Sequence, residues 1–303
     1  MELSEAIRQL GDDRFTAIAL PLFVLAIVLE SVYSWQQQRH LYQARDTFTS
    51  LTMLVLSSIV DFLPKATAFI VFFYLHEWSP LRDLVGRQWW AWVALFFLDD
   101  FIYYWFHRAN HEVRFFWAGH VPHHSSVKLN FGTALRQGIG ERTHKYFFWL
   151  PLPLLGFDPL MIFTMIALNL IYQFWVHTEL VQKLPKPIEL VFNTPSHHRV
   201  HHASNVCYLD RNHAGVLIIW DRLFGTFAEE IPEETVIYGL TKNIESYNPL
   251  IVAAGEYGAL WRDIKRASTF RDRYRYALLA PGWRHDGEDR RSDVLRAKSE
   301  KAG

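Results

Sequence analysis

The chain has 303 residues, 50% of them hydrophobic and 16% aromatic, and its 31 basic side chains balance 31 acidic ones. A chain with no net positive charge is not built as a general nucleic-acid binder. Its single cysteine, Cys207, excludes an intramolecular disulfide, a cysteine-based zinc site and an iron–sulfur cluster, so any metal must be held by nitrogen and oxygen.

Apolar residues come in long runs. Thr16 to Tyr33 carries one charge, Glu30, and has about the ~20 residues that cross a bilayer, so it predicts a membrane span. The segment before it, MELSEAIRQLGDDR, is too long and acidic for a signal-peptide n-region, and no small-residue cleavage site follows. Phe48 to Tyr74 contains Asp61, Pro64 and Lys65, and reads either as one kinked span or as two re-entrant pieces. Trp89 to Phe106 is a third span, rich in interfacial aromatics. A fourth apolar region, Tyr146 to Val176, is broken near Gly156 by LPLPLLGFDP. The charged tail RHDGEDRRSDVLRAKSEKAG predicts disorder. The expectation is an all-α, multi-pass membrane helical bundle with a cytosolic-face, histidine-rich helical cap holding a dimetal site. Residues 1–88 form the N-terminal spans, 89–230 the membrane hairpins and catalytic cap of the same domain, and 231–303 a cytosolic C-terminal segment.

Three histidine groups stand out: HRANH (His107, His111), HVPHH (His120, His123, His124) and HRVHH (His198, His201, His202). Residues three and four apart share one helix face, so each group points its imidazoles in one direction. With this histidine content, chance supplies roughly 0.04 matches to HxxHH in such a chain, and two occur. Eight imidazoles exceed what one four-coordinate ion uses, so two metals are the economical reading, with iron, copper and zinc all open. Rival motifs fail. The zincin HExxH would need histidine where Phe115 and Pro80 stand, and a ferritin-like site needs two ExxH pairs where only Glu141 to His144 exists. A bis-histidine haem leaves six imidazoles unexplained. The groups meet only if they emerge on one membrane face, and the basic residues beside them (Arg108, Arg114, Lys128, Arg136, Arg142, Lys145) put that face in the cytosol.

The order HxxxH, HxxHH, HxxHH after a membrane hairpin resembles the fatty acid hydroxylase and sterol desaturase superfamily. The likeness runs from about Asp100 to Phe227, and WAGHVPHHSSVKLNFGTALRQ, YQFWVHTE, NTPSHHRVHH and DRNHAGVLIIWDRLFGTF are similar to its alkylglycerol monooxygenase branch. The resemblance implies metal ligation by His107, His111, His120, His123, His124, His198, His201 and His202, with His177 a ninth ligand beside a departure, Gln173, from the paired ligands of some relatives. His197 is a weaker candidate, and His213 is left unassigned. Asp100, in a span and seven residues before His107, and Glu112, next to His111, are the candidate carboxylates acting on the ligands.

The resemblance further implies two non-haem irons, dioxygen as co-substrate, and electrons from a separate donor, either a reduced pterin or a redox protein. It implies a membrane lipid as substrate: an ether lipid first, then an ornithine lipid, then a sterol or acyl chain. The location is an inner membrane in a bacterium or the endoplasmic reticulum in a eukaryote. Two rival classes share the ligands: a histidine-lined metal transporter, disfavoured because the histidines follow the span and do not lie within it, and a zinc hydrolase.

Overall fold

The computed structural model describes residues 14–301. Among these no β-strand forms, and extended pairing is limited to isolated bridges, Phe192 with Leu217 and Ala203 with Tyr238. Helix α1 (Arg14–Gln36) and the 35-residue α2 (Ala44–Trp78) are long and apolar enough to cross a bilayer, and only 17% of the apolar window of each is buried. Leu22, Leu25 and Leu29 of α1 and Ile59, Phe62 and Leu63 of α2 stand exposed, an arrangement suited to hydrocarbon and costly in water. Of the two readings open for the second apolar run, the single helix is the one formed. Pro64 lies within it, and Asp61 is satisfied by the Tyr146 hydroxyl at 3.1 Å.

Helix α3 (Trp89–Glu112) carries the third apolar run and continues beyond it to include His107 and His111. Val113, in extended conformation, separates it from α4 (Arg114–His124), which therefore turns back over the end of α3. The fourth run breaks as its prolines require. A 3₁₀ turn (Lys145–Trp149) and a short turn lead to Gly156 at φ +91°, and α5 (Pro159–Trp175) follows, with Pro159 in its first turn and the Asp158 side chain accepting from the Leu160 amide. Phe69 and Phe72 of α2, Leu95 and Phe106 of α3, Trp149, and Ile162 and Phe163 of α5 form the main core. Phe23 of α1 stacks on Phe174 at 3.8 Å between ring centroids.

Beyond α5 come α6 (Pro195–His201), α7 (Ile219–Phe224), α8 (Pro249–Arg266), α9 (Phe270–Leu278) and α10 (Ser292–Glu300). Helix α8 lies along α4, fixed by Arg114, which pairs with Glu256 and Asp263, each at 2.8 Å. The tail departs from its predicted disorder: α10 forms, and Arg296 donates to the Leu209 carbonyl. Composition alone misses this because the residues that hold the tail are far away in sequence.

Candidate dimetal centre

Nine buried histidines converge in two groups. The last turn of α3, helix α4 and α6 bring together His107, His111, His120, His124 and His201; His123, His177, His198 and His202 form the second group. Within each group one ligand atom from every residue lies within 4.8 Å of all the others. Helix α4 splits its own motif, sending His120 and His124, four apart, to one group and His123 to the other. Helix α6 does the same with His201 against His198 and His202. The HxxHH spacing therefore builds two adjoining centres.

The tautomers are set from behind. His107 Nδ1 donates to the His213 carbonyl at 2.8 Å, His177 Nδ1 to Gln173 at 2.7 Å, His201 Nδ1 to Arg211 at 2.9 Å, and His123 Nδ1 to Arg136 at 3.3 Å. His120 Nδ1 donates to Glu141 at 2.9 Å and His111 Nδ1 to Asp210 at 3.1 Å. A carbonyl or carboxylate only accepts, so each of these rings carries its proton on Nδ1 and turns a bare Nε2 lone pair inward. Yet Nε2 of His107 and His120 lie 3.1 Å apart, and those of His123 and His177 3.2 Å apart. Two lone pairs facing each other at that distance repel unless a cation lies between them. Ligands at ~2.1 Å from a first-row ion lie ~3.0 to ~3.4 Å apart, so the donor set fits metal. The Nε2 atoms of His111 and His201 are buried without a hydrogen-bond partner, as metal ligands would be.

Burial favours the neutral form of His177, His198, His201 and His202. It pulls His177 down to about 4 and His201 down to about 3, and takes His198 and His202 well below the ordinary imidazole value, reinforced in the last two by neighbouring imidazoles. Burial would raise the Glu141 carboxyl, but the His120 imidazole and Arg142 guanidinium hold it at about 2, so it stays ionised.

Glu141 reaches His120 because the chain passes unusually close to α4. A Cβ on Gly138 would lie 1.6 Å from the Gly119 carbonyl oxygen, and one on Gly119 would lie 2.5 Å from the Glu141 amide. Only glycines at the crossing let QGIGE press onto the helix. Glu141 and Asp210 were not singled out as ligand partners from sequence, although glycines flanking an acid in QGIGE are a readable sign of close backbone approach.

The two predicted carboxylates are placed differently from expectation. Asp100 contacts no histidine. It accepts from the backbone amides of Val216 and Leu217 at 2.7 and 3.0 Å and from Trp220 Nε1 at 2.9 Å. Seven residues share a helix face but stand ~10 Å apart along the axis, too far for contact with His107. Asp221 completes the anchor, accepting from the His213 and Ala214 amides at 2.7 and 2.8 Å. Together these acids pin the loop whose Arg211 and His213 carbonyls orient His201 and His107. Glu112 points outward and pairs with Arg108 at 2.8 Å. His197 lies outside both groups, 3.0 Å from Glu189, and Gln173 turns its amide to Asn169 at 2.6 Å. His213 is fully buried with its ring centroid 5.0 Å from that of His111.

Two cavities reach the histidines from opposite sides. One, of about 520 Å³, touches His120, His123 and His177 and runs beside α5 toward Leu160, between α1 and α2. The other, of about 640 Å³, touches His111, His124 and His201 and is walled by the C-terminal segment around Trp283, Arg290 and Leu295.

Residues 92–226 match the profile of the fatty acid hydroxylase family. The sequence is 39% identical to alkylglycerol monooxygenase of Homo sapiens over 267 residues, 88% of this chain and 59% of that protein. It is equally similar, at 39% over 278 residues, to the alkylglycerol monooxygenase of Danio rerio, covering 91% of this chain and 61% of that one. An ornithine lipid hydroxylase of Rhizobium tropici is 31% identical over 157 residues, 48% of this chain and 44% of its own. The chain thus spans about three fifths of the length of the vertebrate relatives it matches. No solved structure matches it. Every histidine of the two groups falls inside the residues that match the fatty acid hydroxylase profile, and most of the chain's length is similar to alkylglycerol monooxygenases.

Proposed function

We propose that this chain is a multi-pass membrane di-iron monooxygenase that hydroxylates an ether lipid at the carbon next to the ether oxygen. The observation that carries the reading is the pair of converging imidazole groups, with lone pairs facing each other at the end of an apolar cavity. His107, His111, His120, His124 and His201 would hold one ion, and His123, His177, His198 and His202 the other. When bound, the irons supply dioxygen activation for insertion into an unactivated C–H bond.

The protein's own contribution is positional. Glu141, Asp210 and the loop carbonyls keep protons on Nδ1 and so keep Nε2 free for ligation. The cavity lays an alkyl chain along α5 with one carbon beside His120, His123 and His177, and burial keeps bulk water from that carbon. A hydroxyl placed next to an ether oxygen gives a hemiacetal, which collapses to an aldehyde and a free alcohol. Electrons come from a separate donor, either a reduced pterin or a redox protein. The histidine face lies in the cytosol, a reading supported by the exposed basic residues of α8 and α9, among them Arg262, Lys265, Arg266, Arg271 and Arg273.

The test is metal analysis of protein purified in mild detergent, with Mössbauer spectra after iron-57 enrichment, followed by dioxygen-dependent turnover of a 1-O-alkylglycerol. About two coupled irons and release of a fatty aldehyde support the proposal. Hydroxylation of an ornithine lipid without ether cleavage would reassign the substrate, and tightly held zinc in iron-replete protein would defeat the oxygenase.

A further inference from the structure

Beside the histidines, the wall of the apolar cavity carries charge that the reaction does not use. Lys145 lines it and is 3% exposed, and among the described residues no carboxylate lies within ion-pairing distance of its ammonium, although Asp61, Glu141 and Asp99 attract it from farther off; the Trp149 ring lies 5.8 Å away. Arg142, also in the wall, makes only long contacts, 3.5 Å to Asp61 and 3.3 Å to Gln137. The acids nearby are engaged elsewhere: Glu141 holds His120, and Asp61 takes the Tyr146 hydroxyl. A buried ammonium with no carboxylate in contact is costly, and a guanidinium held only at 3.5 Å by Asp61 beside it has donors suited to oxyanions.

These cations share the cavity wall with His120, His123 and His177. Apolar side chains of α5 (Leu160, Phe163, Ile166, Leu170) line one wall for roughly 15 Å, ten residues at the helical rise, while Asp61, Lys65 and Glu141 also reach the cavity. Lys145 is one helical turn from Glu141, and Glu141 touches the ligand His120, so these cations and the histidines are neighbours.

We propose that Lys145 and Arg142 form a phosphate subsite for the headgroup of an amphiphile whose chain lies along α5, placing the oxidised carbon only a few bonds from the headgroup. The assignment rests on the lipid-oxidation reading and sharpens it: a phosphorylated lipid is preferred to a neutral one of the same chain.

The test is calorimetric titration of the full chain in nonionic detergent, under argon, with dodecyl phosphate and 1-dodecanol. Dodecyl phosphate should bind about tenfold more tightly, the worth of one charge-assisted hydrogen bond. Lys145→Gln should reduce the phosphate preference, Lys145→Gln combined with Arg142→Gln should bring the phosphate to the dissociation constant that dodecanol shows on the same variant, and Lys145→Arg should keep the difference; thermal unfolding of each variant checks its fold. Equal binding by the wild type, or a preference that survives Lys145→Gln combined with Arg142→Gln, would overturn the subsite. Millimolar inorganic phosphate should leave dodecyl phosphate bound; displacement would make the ligand a free anion and overturn the headgroup assignment. Lys145-dependent binding in a protein that oxidises no ether lipid would uphold the subsite while the oxygenase reading fell.

Discussion

Replacing Glu141 with glutamine separates the two halves of the metal centre. The carboxylate accepts from His120 Nδ1 at 2.9 Å and stays ionised in its mostly buried position. Glutamine keeps the shape and one acceptor oxygen, so His120 retains its tautomer, but the charge that makes the imidazole a better donor is lost. Partners of this kind contribute 10- to 100-fold to metal affinity, so Glu141→Gln should weaken the five-histidine centre about 10-fold, or ~1.4 kcal/mol, and Glu141→Ala about 100-fold. None of His123, His177, His198 or His202 contacts Glu141, so the four-histidine centre should hold its ion at wild-type strength. The assay is metal content by mass spectrometry after equilibration with graded chelator. The wild type should release its ions over a narrower chelator range than the variant, which should pass through a one-metal plateau. Joint loss of both ions in Glu141→Gln, or no change, would refute the reasoning that His120 serves one centre through this carboxylate.

Asp100→Asn should lower stability by about 3 kcal/mol, because the amide cannot accept from three buried donors, and hydrogen bonds to charged groups contribute ~1.5 to ~3 kcal/mol each; metal loss without a lower unfolding temperature would instead mean a direct ligand role. Gly138→Ala puts a Cβ 1.6 Å from the Gly119 oxygen, and should cost more metal from the five-histidine centre than Glu141→Gln does, as measured by the same chelator series. The metal-free protein should lose stability as pH falls. His177 and His201 are depressed in the folded state, to about 4 and about 3, against ~6.5 unfolded, so their contribution is complete above ~6.5 and is lost as pH drops toward those values. His177 alone is worth roughly 3 kcal/mol across that window, and an unfolding temperature unchanged between pH 7 and pH 5 would contradict the assigned burial.

The histidine groups were legible because helical spacing is a local property: three- and four-residue offsets set the facing of an imidazole whatever the rest of the chain does. What spacing could not show is that each HxxHH feeds both centres, since that depends on how α4 and α6 lie against each other. Long apolar runs announced α1 to α3, and the prolines and Gly156 announced the break before α5. Asp100 shares the His107 face of α3 but stands out of its reach, because seven residues put two side chains on one face without bringing them together, and its partners Val216, Leu217 and Trp220 are over a hundred positions away. Glu141 and Asp210 pair with His120 and His111, 21 and 99 positions away, and the one local sign, the glycines before Glu141, marks a close backbone approach without naming the partner.

The division of the histidines between two cavities bears on how the parts cooperate. His120, His123 and His177 face the apolar cavity, whereas His111, His124 and His201 face the one walled by the C-terminal segment. An alkyl chain lying along α5, as the proposed function requires, would meet imidazoles of both groups and so lie at the seam between them. The opposite side offers Trp117, whose ring lies 5.1 Å from His111 and 5.6 Å from His124, among charged side chains that no alkyl chain would choose. The two cavities thus give the histidines one apolar and one more charged approach, and the tail helix α10, which composition marked as disordered, belongs to the wall of the second through Ser292 and Leu295. A truncation that spares every histidine still removes part of that wall, so the structural unit around the histidines extends past residue 226, where the family match ends.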